Sequence, residues 1–227
     1  MDNKPVSSGA KLNSTALNRL YLGVEFILIF FGLPTLLAFH WAGASPIIFV
    51  LLAFLGMCAY LYFSKDFSNK SFFRISGTRR EIKRILIIFL CLFPPLTIYL
   101  YLFHPDLILA FPLQEPKIYA LVMVLYPVLS VYPQEVIFRG FLFTRYKPVL
   151  GAGTTMIICS GLAFGYSHII FLNTLAVLFS TVGGILFALT YFRSRSLLLA
   201  SIEHSLYGCF IFTIGLGRFF YHGAVDG

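Results

Sequence analysis

Long apolar stretches separated by short polar segments dominate the pattern along this chain. A stretch of about 20 apolar residues is what a helix needs to cross the hydrocarbon core of a bilayer. Backbone groups in lipid must bond within their own segment, so such stretches are expected to be helical. The pattern predicts an all-α fold, a polytopic transmembrane helical bundle of about seven spans, near residues 20–39, 45–63, 85–103, 118–143, 154–172, 174–191 and 196–220.

The predicted number of spans ranges from six to eight, because the fourth stretch is long and contains Pro127 and Pro133. No internal repeat is evident. The first part of the chain, residues 1–18, is rich in Ser and Asn and predicts a disordered cytoplasmic lead. Residues 19–221 are predicted to form a single transmembrane helical domain, with its motif-bearing part at about 118–221.

Composition supports a membrane location. Apolar residues make up 59% of the 227 residues and charged residues 11%, and the mean hydropathy is +0.86. Soluble domains carry about a quarter charged residues, so this chain has too few polar side chains to cover a water-facing surface. The composition excludes soluble α/β folds. It predicts that the protein lies in the lipid bilayer and does not bind nucleic acid.

The positions of the cations explain the net charge of +8. Most of the 17 Lys and Arg residues fall in four segments, before residue 20 and at 65–84, 145–147 and 193–195. These segments alternate along the chain, as cytoplasmic loops of a multispanning protein do. We therefore expect an integral membrane protein with its N-terminus in the cytoplasm.

A few ionisable residues lie inside the apolar spans. Each charge at the centre of a membrane helix costs about 2.5–3.5 kcal/mol on insertion scales, so such residues are candidates for function. Their depth in the membrane can be counted at about 1.5 Å per residue from the basic residues at the cytoplasmic ends of the spans. Glu135 lies at a depth of roughly 15 Å and His204 at roughly 14 Å, so these two match, whereas His168 lies at about 20–25 Å. The candidates are Glu135, Arg139, His168, Glu203 and His204.

Glu135 and Arg139 are four residues apart, so they share a helix face in the order that favours an ion pair. A neutralised structural pair is the alternative to a catalytic role. Pro133 precedes them, and proline suits the first turn of a helix, so a new helical segment is expected to begin near Gln134. The exposed backbone amides at the start of that segment would favour a bound anion and would attract water.

One Glu and two His on separate helices suit two chemistries. A carboxylate and a neutral imidazole can orient and deprotonate a water for attack on a carbonyl. The same residues, Glu135, His168 and His204, are also a ligand set for a catalytic zinc ion with one open position. The His-Glu-x-x-His helix of zinc proteases is absent, so the cofactor prediction stays open between none and zinc.

Three motifs lie on successive late spans: Gln134-Glu135 followed by Arg139, then Phe164 with His168, then His204 with Gly208. They resemble the CPBP (CAAX-processing and bacteriocin-processing, or Abi) intramembrane endoprotease family. The family pattern is Glu-Glu-x-x-x-Arg, then Phe-x-x-x-His, then His-x-x-x-Asn or Asp. The resemblance implies an active site within the membrane, peptide-bond hydrolysis, water activation by Glu and the first His, and oxyanion support by the later His and Asn.

Two positions depart from this pattern. Gln134 stands where the family has its first Glu, which is usually assigned as the base, and Gly208 stands where it has Asn or Asp. An uncharged amide cannot be a general base, so either Glu135 takes over that role or the protein is catalytically impaired. Gln134 can instead donate a hydrogen bond to a developing oxyanion.

We expect an intramembrane endopeptidase of the bacterial inner (plasma) membrane. Its expected partner is a membrane protein or a lipidated or leader-bearing peptide as substrate. The alternatives are a catalytically impaired scaffold or immunity-type membrane protein, and, ranked lower, a proton or ion transporter. Glu135 and His168 are expected to activate water and His204 to stabilise the tetrahedral intermediate, with supporting roles for Gln134, Arg139, Phe164 and Gly208.

Overall fold

The computed structural model describes residues 8–40, 46–75 and 78–220, and within these ranges the fold is a bundle of seven apolar helices. The first, α1, runs through Ser8–Ile27, a π-helical segment Leu28–Gly32 and Leu33–His40. The others are α2 (Pro46–Phe63), α3 (Thr78–Phe103), α4 (Pro116–Arg145), α5 (Thr154–Ser167), α6 (Thr174–Ser194) and α7 (Leu197–Thr213).

The predicted fold class, an all-α polytopic membrane bundle, is confirmed. Among the described residues, five helices are long and apolar enough to cross a membrane, namely α1, α3, α4, α6 and α5 with its 3₁₀ extension His168–Phe171. The apolar parts of α2 and α7, Ile47–Phe63 and Leu197–Thr213, are shorter. Short helices lie in the connections, at Asn69–Phe72, Pro105–Leu107, Ala110–Gln114, Lys147–Leu150 and Leu216–Phe220.

The N-terminal segment differs from the predicted disordered lead. Helix α1 begins at Ser8, so residues 8–18 are helical, and the first seven residues lie outside the described ranges. This segment contains Ala, Lys and Leu, which favour helix, and has no Gly or Pro after residue 9 to end it. The helix therefore extends outward from the apolar span.

Helix α4 also differs from expectation, because no new helix begins at Gln134. The backbone stays helical from Pro116 to Arg145, with π-helical segments at Tyr126–Val131 and Val136–Phe141 on either side of the α-helical turn Tyr132–Glu135. A π turn rearranges the hydrogen-bond ladder and so tolerates the missing N–H of a proline. The expected exposed amides at Gln134 are therefore not formed.

The basic connections gather at one end of the bundle. Residues of the α2–α3, α4–α5 and α6–α7 connections, among them Arg74, Lys147 and Arg195, line one cavity there. Arg145 also ties this end of α4 to α1, donating from Nε and Nη2 to the two oxygens of Glu25 at 3.0 and 2.8 Å. The segments predicted to share the cytoplasmic side therefore lie on the same side of the bundle, and the N-terminal orientation stays a prediction.

Glycines allow α5 and α6 to pack closely. A Cβ at Gly165 would meet the hydroxyl of Thr181 and lie 2.7 Å from its Cα, and a Cβ at Gly161 would lie 2.8 Å from the backbone nitrogen of Ile185. Small residues bring backbones together in this way in membrane bundles. This contact fixes the backbone of α6 beside the motif-bearing helices.

The close contact predicts a sharp difference between two alanine substitutions. Gly165→Ala forces two backbones apart and is expected to destabilise the fold by about 1–3 kcal/mol, as overpacking does. Gly56→Ala in α2 meets nothing within 4 Å and is expected to stabilise its helix by up to about 1 kcal/mol. Thermal unfolding of the purified variants in detergent measures both, and equal effects would contradict the packing role of Gly165.

Candidate active site

Glu135 of α4 and His204 of α7 lie in direct contact in the middle of the bundle. The His204 Nδ1 atom is 2.8 Å from Glu135 Oε1, Glu135 is fully buried, and His204 is 5% exposed. A carboxylate can only accept, so Nδ1 carries the hydrogen and the other ring nitrogen, Nε2, is the free acceptor of the neutral ring. The depth match of these two residues in the sequence corresponds to a real contact.

Arg139 completes this buried group. Its Nη1 donates to Glu135 Oε1 at 3.2 Å, so the predicted ion pair on one face of α4 is confirmed. Its Nη2 donates to the carbonyl oxygen of Gly184 at 2.8 Å, and its guanidinium lies 4.6 Å from the ring centroid of Phe164. Arg139 is fully buried, and these contacts replace part of the water that it loses, while its Nε has no hydrogen-bond partner among the described residues.

Aromatic rings fix the orientation of His204. The Phe187 ring stacks on it at 4.5 Å with an interplanar angle of 14°, and the Phe164 ring meets it edge-on at 5.2 Å and 87°. Phe164, the aromatic residue of the second motif, thereby contacts both Arg139 and His204. Its role in the structure is to hold the charged group together.

His168 lies at the end of α5, apart from the Glu135–His204 pair. Its Nδ1 is 2.9 Å from the carbonyl oxygen of Phe164, which can only accept, so Nδ1 carries the hydrogen and Nε2 is the free acceptor. The Phe164 ring lies 4.9 Å from the His168 ring and 5.2 Å from the His204 ring. The structure therefore brings both histidines to one phenylalanine and does not join His168 to Glu135 by a hydrogen bond.

Two buried acceptors in this group have no hydrogen-bond partner among the described residues. They are Glu135 Oε2 and Gln134 Oε1. The Gln134 amide Nε2 donates to Ser130 Oγ at 2.8 Å, so one end of that amide is anchored. Buried polar atoms of this kind are the usual partners of an internal water.

The side chains fit the zinc alternative poorly. Among the described residues, no group of three or more His, Cys, Asp or Glu side chains is placed to hold a metal ion. The Nδ1 atoms of His204 and His168 bond Glu135 and the carbonyl of Phe164, so Nε2 is the nitrogen that each ring has left for a metal. The zinc site with Glu135, His168 and His204 stays a prediction.

Gly208 lies one turn beyond His204 on α7 and faces Tyr126 of α4. A Cβ at this position would meet the hydroxyl oxygen of Tyr126 and lie 2.7 and 2.8 Å from its ring atoms Cε1 and Cζ. A side chain at position 208 therefore has no room while Tyr126 is present.

Glu203 is the buried carboxylate to which the sequence assigned no role. It is fully buried, accepts a hydrogen bond from Thr190 of α6, and lies 3.4 Å from the Nη2 atom of Arg84 on α3. Tyr207 lies within hydrogen-bond distance, its hydroxyl 3.1 Å from Glu203 Oε1. Its intramembrane position was a usable signal, but its partners lie on two other helices and no sequence spacing relates them.

The Glu203 network fixes how α7 is rotated about its axis. Consecutive helical residues point about 100° apart, so anchoring Glu203 toward α3 and α6 turns His204 toward Glu135 of α4. Arg84 is held in turn by Glu81, whose Oε2 accepts from its Nε at 2.8 Å. A second buried ion pair thus supports the geometry of the first.

The fold and this buried group define an integral membrane protein with a Glu–Arg–His cluster inside a helical bundle. Residues 116–210, which contain all three motifs, match the family described as type II CAAX prenyl endopeptidase Rce1-like. The match covers 95 of the 227 residues and confirms the resemblance to the CPBP/CAAX protease family. No curated protein and no solved structure matches the chain.

The Glu203 network predicts a large effect on stability. Glu203→Ala removes one of the two carboxylates that pair with Arg84 and leaves Glu81 as the other, so it is expected to destabilise the protein by about 1.5–3 kcal/mol. Replacing both partners by apolar residues, as in Arg84→Met with Glu203→Leu, is expected to recover part of that loss. Unfolding in detergent measures both, with Glu115→Ala in an exposed connection as the control. A double variant as unstable as Glu203→Ala would argue against the ion pair.

Proposed function

We propose that this protein is an intramembrane endopeptidase of the CAAX type that hydrolyses a peptide bond of a membrane-associated substrate. The observation that carries the proposal is the state of Glu135. Its Oε1 is occupied by Arg139 and His204, while its Oε2 is buried without a partner among the described residues. A carboxylate held in this way has one oxygen free to bind and deprotonate a water.

The reaction follows from these positions. Glu135 Oε2 takes a proton from the water, whose oxygen bonds to the carbonyl carbon of the substrate, and the tetrahedral intermediate forms. Collapse breaks the C–N bond, and the proton moves from Glu135 to the leaving amine nitrogen. His168 assists in orienting the water through its free Nε2, and His204 stabilises the intermediate when its ring is protonated.

Arg139 is a positioning residue in this scheme. It contacts Glu135, the carbonyl of Gly184 and the Phe164 ring, so it balances the negative charge and holds the carboxylate in one orientation. Preorganised charge of this kind acts strongly where water is excluded. The fully buried position of both residues supports such a role.

The substrate is expected to be a peptide held at the membrane by a lipid group or by an apolar segment. The family description names prenyl endopeptidases acting at CAAX sequences, which favours a prenylated peptide over a leader-bearing one. The buried position of Glu135 agrees with a substrate that reaches the site from within the bilayer. Prenylated and leader-bearing peptides can be compared directly in a cleavage assay.

A catalytically impaired scaffold is the second candidate function. Gln134 favours it, because an amide in place of the first Glu of the family pattern cannot take a proton. The contacts of Glu135 favour the enzyme, since the remaining carboxylate keeps its charged and hydrogen-bonding partners. The two candidates predict opposite results in the same assay.

Cleavage of a fluorogenic prenylated peptide by the protein in lipid nanodiscs tests the proposal. Glu135→Gln and His204→Ala are expected to lower kcat/KM by about 10²–10⁴-fold, and His168→Ala by about 10²-fold, as loss of general acid–base groups does. Glu115→Gln and His104→Ala, at exposed positions in the α3–α4 connection, are matched controls and are expected to retain full activity. Wild-type protein that cleaves neither the prenylated nor a leader-bearing peptide, or three active variants, would reject the enzyme in favour of the scaffold.

The same assay tests the zinc prediction. If zinc is required, dialysis against a chelator abolishes cleavage and added zinc restores it, and metal analysis finds about one zinc per chain. If Glu135 acts on water alone, cleavage survives the chelator and the zinc content is negligible. Glu135→Gln separates the two further, because in the first case it lowers the zinc content as well as the activity.

A further inference from the structure

Tyr126 is held at a defined position beside the candidate active site. Its ring meets His204 edge-on, with centroids 6.1 Å apart at 83°, and meets Phe212 at 5.2 Å and 78°. His204, Gly208 and Phe212 are spaced four residues apart and so lie along one face of α7. The ring therefore lies between the first and last of these residues, and its hydroxyl faces the glycine between them.

The hydroxyl of Tyr126 is an unused donor. Within the described part of the chain it has no hydrogen-bond partner, whereas two other tyrosines of α4 are bonded: Tyr119 to Thr213 at 2.9 Å, and Tyr132 to the carbonyl of Phe72 at 3.1 Å. Hydroxyl groups in an apolar bundle normally find a partner. This free hydroxyl belongs to a ring that contacts His204 of the buried Glu135–His204 pair.

The proposed reaction needs such a donor. The Nδ1 hydrogen of His204 is committed to Glu135, so in the neutral ring Nε2 has no hydrogen to offer an oxyanion. Stabilising the intermediate through His204 alone requires a protonated ring. A phenol hydroxyl donates at any physiological pH and therefore removes that requirement.

We propose that Tyr126 is a further catalytic residue, whose hydroxyl donates a hydrogen bond to the oxyanion of the tetrahedral intermediate from the space above Gly208. This inference rests on the proposed endopeptidase function. It accounts for Gly208: because a Cβ at that position would collide with the Tyr126 hydroxyl and ring, the tyrosine requires a glycine there. Tyrosine at 126 and glycine at 208 form a linked pair, in which the donor comes from α4 and not from α7.

The direct test is Tyr126→Phe, which keeps the ring contacts with His204 and Phe212 and removes only the hydroxyl. We expect kcat to fall by about 10²–10³-fold, as on loss of one oxyanion donor, with KM within about twofold of wild type. Tyr119→Phe on the same helix is the control, since it also removes a hydroxyl that faces α7 and is expected to leave kcat unchanged. The melting temperatures of the two variants are compared to exclude a loss of folded protein.

A second experiment tests the linked pair. Tyr126→Ala removes the donor and opens space above Gly208, and adding Gly208→Asn to it supplies an amide donor from α7. We expect kcat of the double variant to be at least tenfold higher than kcat of Tyr126→Ala. Gly208→Asn alone is expected to clash with Tyr126 and to lower the melting temperature. If kcat of the double variant is no higher than kcat of Tyr126→Ala, the proposed link between Tyr126 and Gly208 is overturned.

The outcomes separate this inference from the function on which it rests. Wild-type protein that cleaves the peptide, together with Tyr126→Phe of equal kcat, overturns the role of Tyr126 and leaves the endopeptidase standing. A rise in KM with unchanged kcat also overturns it, because the hydroxyl then contacts the bound substrate and not the intermediate. Wild-type protein that fails to cleave rejects the proposed function itself.

Discussion

Burial of the Glu135 carboxylate is the constraint on which the rest of the bundle depends. Taking an ion out of water costs several kcal/mol even after the structure relaxes, and the cost is offset only where partners and hydrogen bonds are well placed. Here the partners come from three helices: Arg139 on the same helix, His204 on α7, and the carbonyl of Gly184 on α6, which binds Arg139 in turn. The close contact of α5 with α6 contributes to this arrangement, because it places Gly184, whose carbonyl binds Arg139, against Gly161 and Phe164.

Helix α7 carries two charge networks at consecutive residues. Glu203 bonds toward α3 and α6, and His204 bonds toward α4. A rotation of α7 that improved one network would break the other, so the two together define one rotational position of the helix. In a bilayer, where apolar contacts between helices gain little over contacts with lipid, polar contacts of this kind are well suited to specify one arrangement.

The sequence predicts those features that depend on neighbours along the chain. The apolar spans, the Glu135–Arg139 pair and the depth match of His204 follow from residue spacing, and the structure agrees with them. Other features depend on distant residues. The helix that passes through Pro133, the contact of Glu203 with Arg84, and the collision of a side chain at Gly208 with Tyr126 are set by packing between helices, which one sequence does not encode as a visible spacing.

The π-helical segment Tyr126–Val131 explains how one helix supplies both Glu135 and Tyr126 to the same site. Nine residues separate these two, and nine residues are about two and a half turns of an α-helix, which would place them on opposite faces. A π turn accommodates one extra residue and so shifts the phase by about 100°, leaving the two side chains roughly 80° apart. Both then reach His204. Pro133, which in the sequence predicts the start of a new helix, therefore belongs to a continuous helix whose π turns change the direction in which its side chains point.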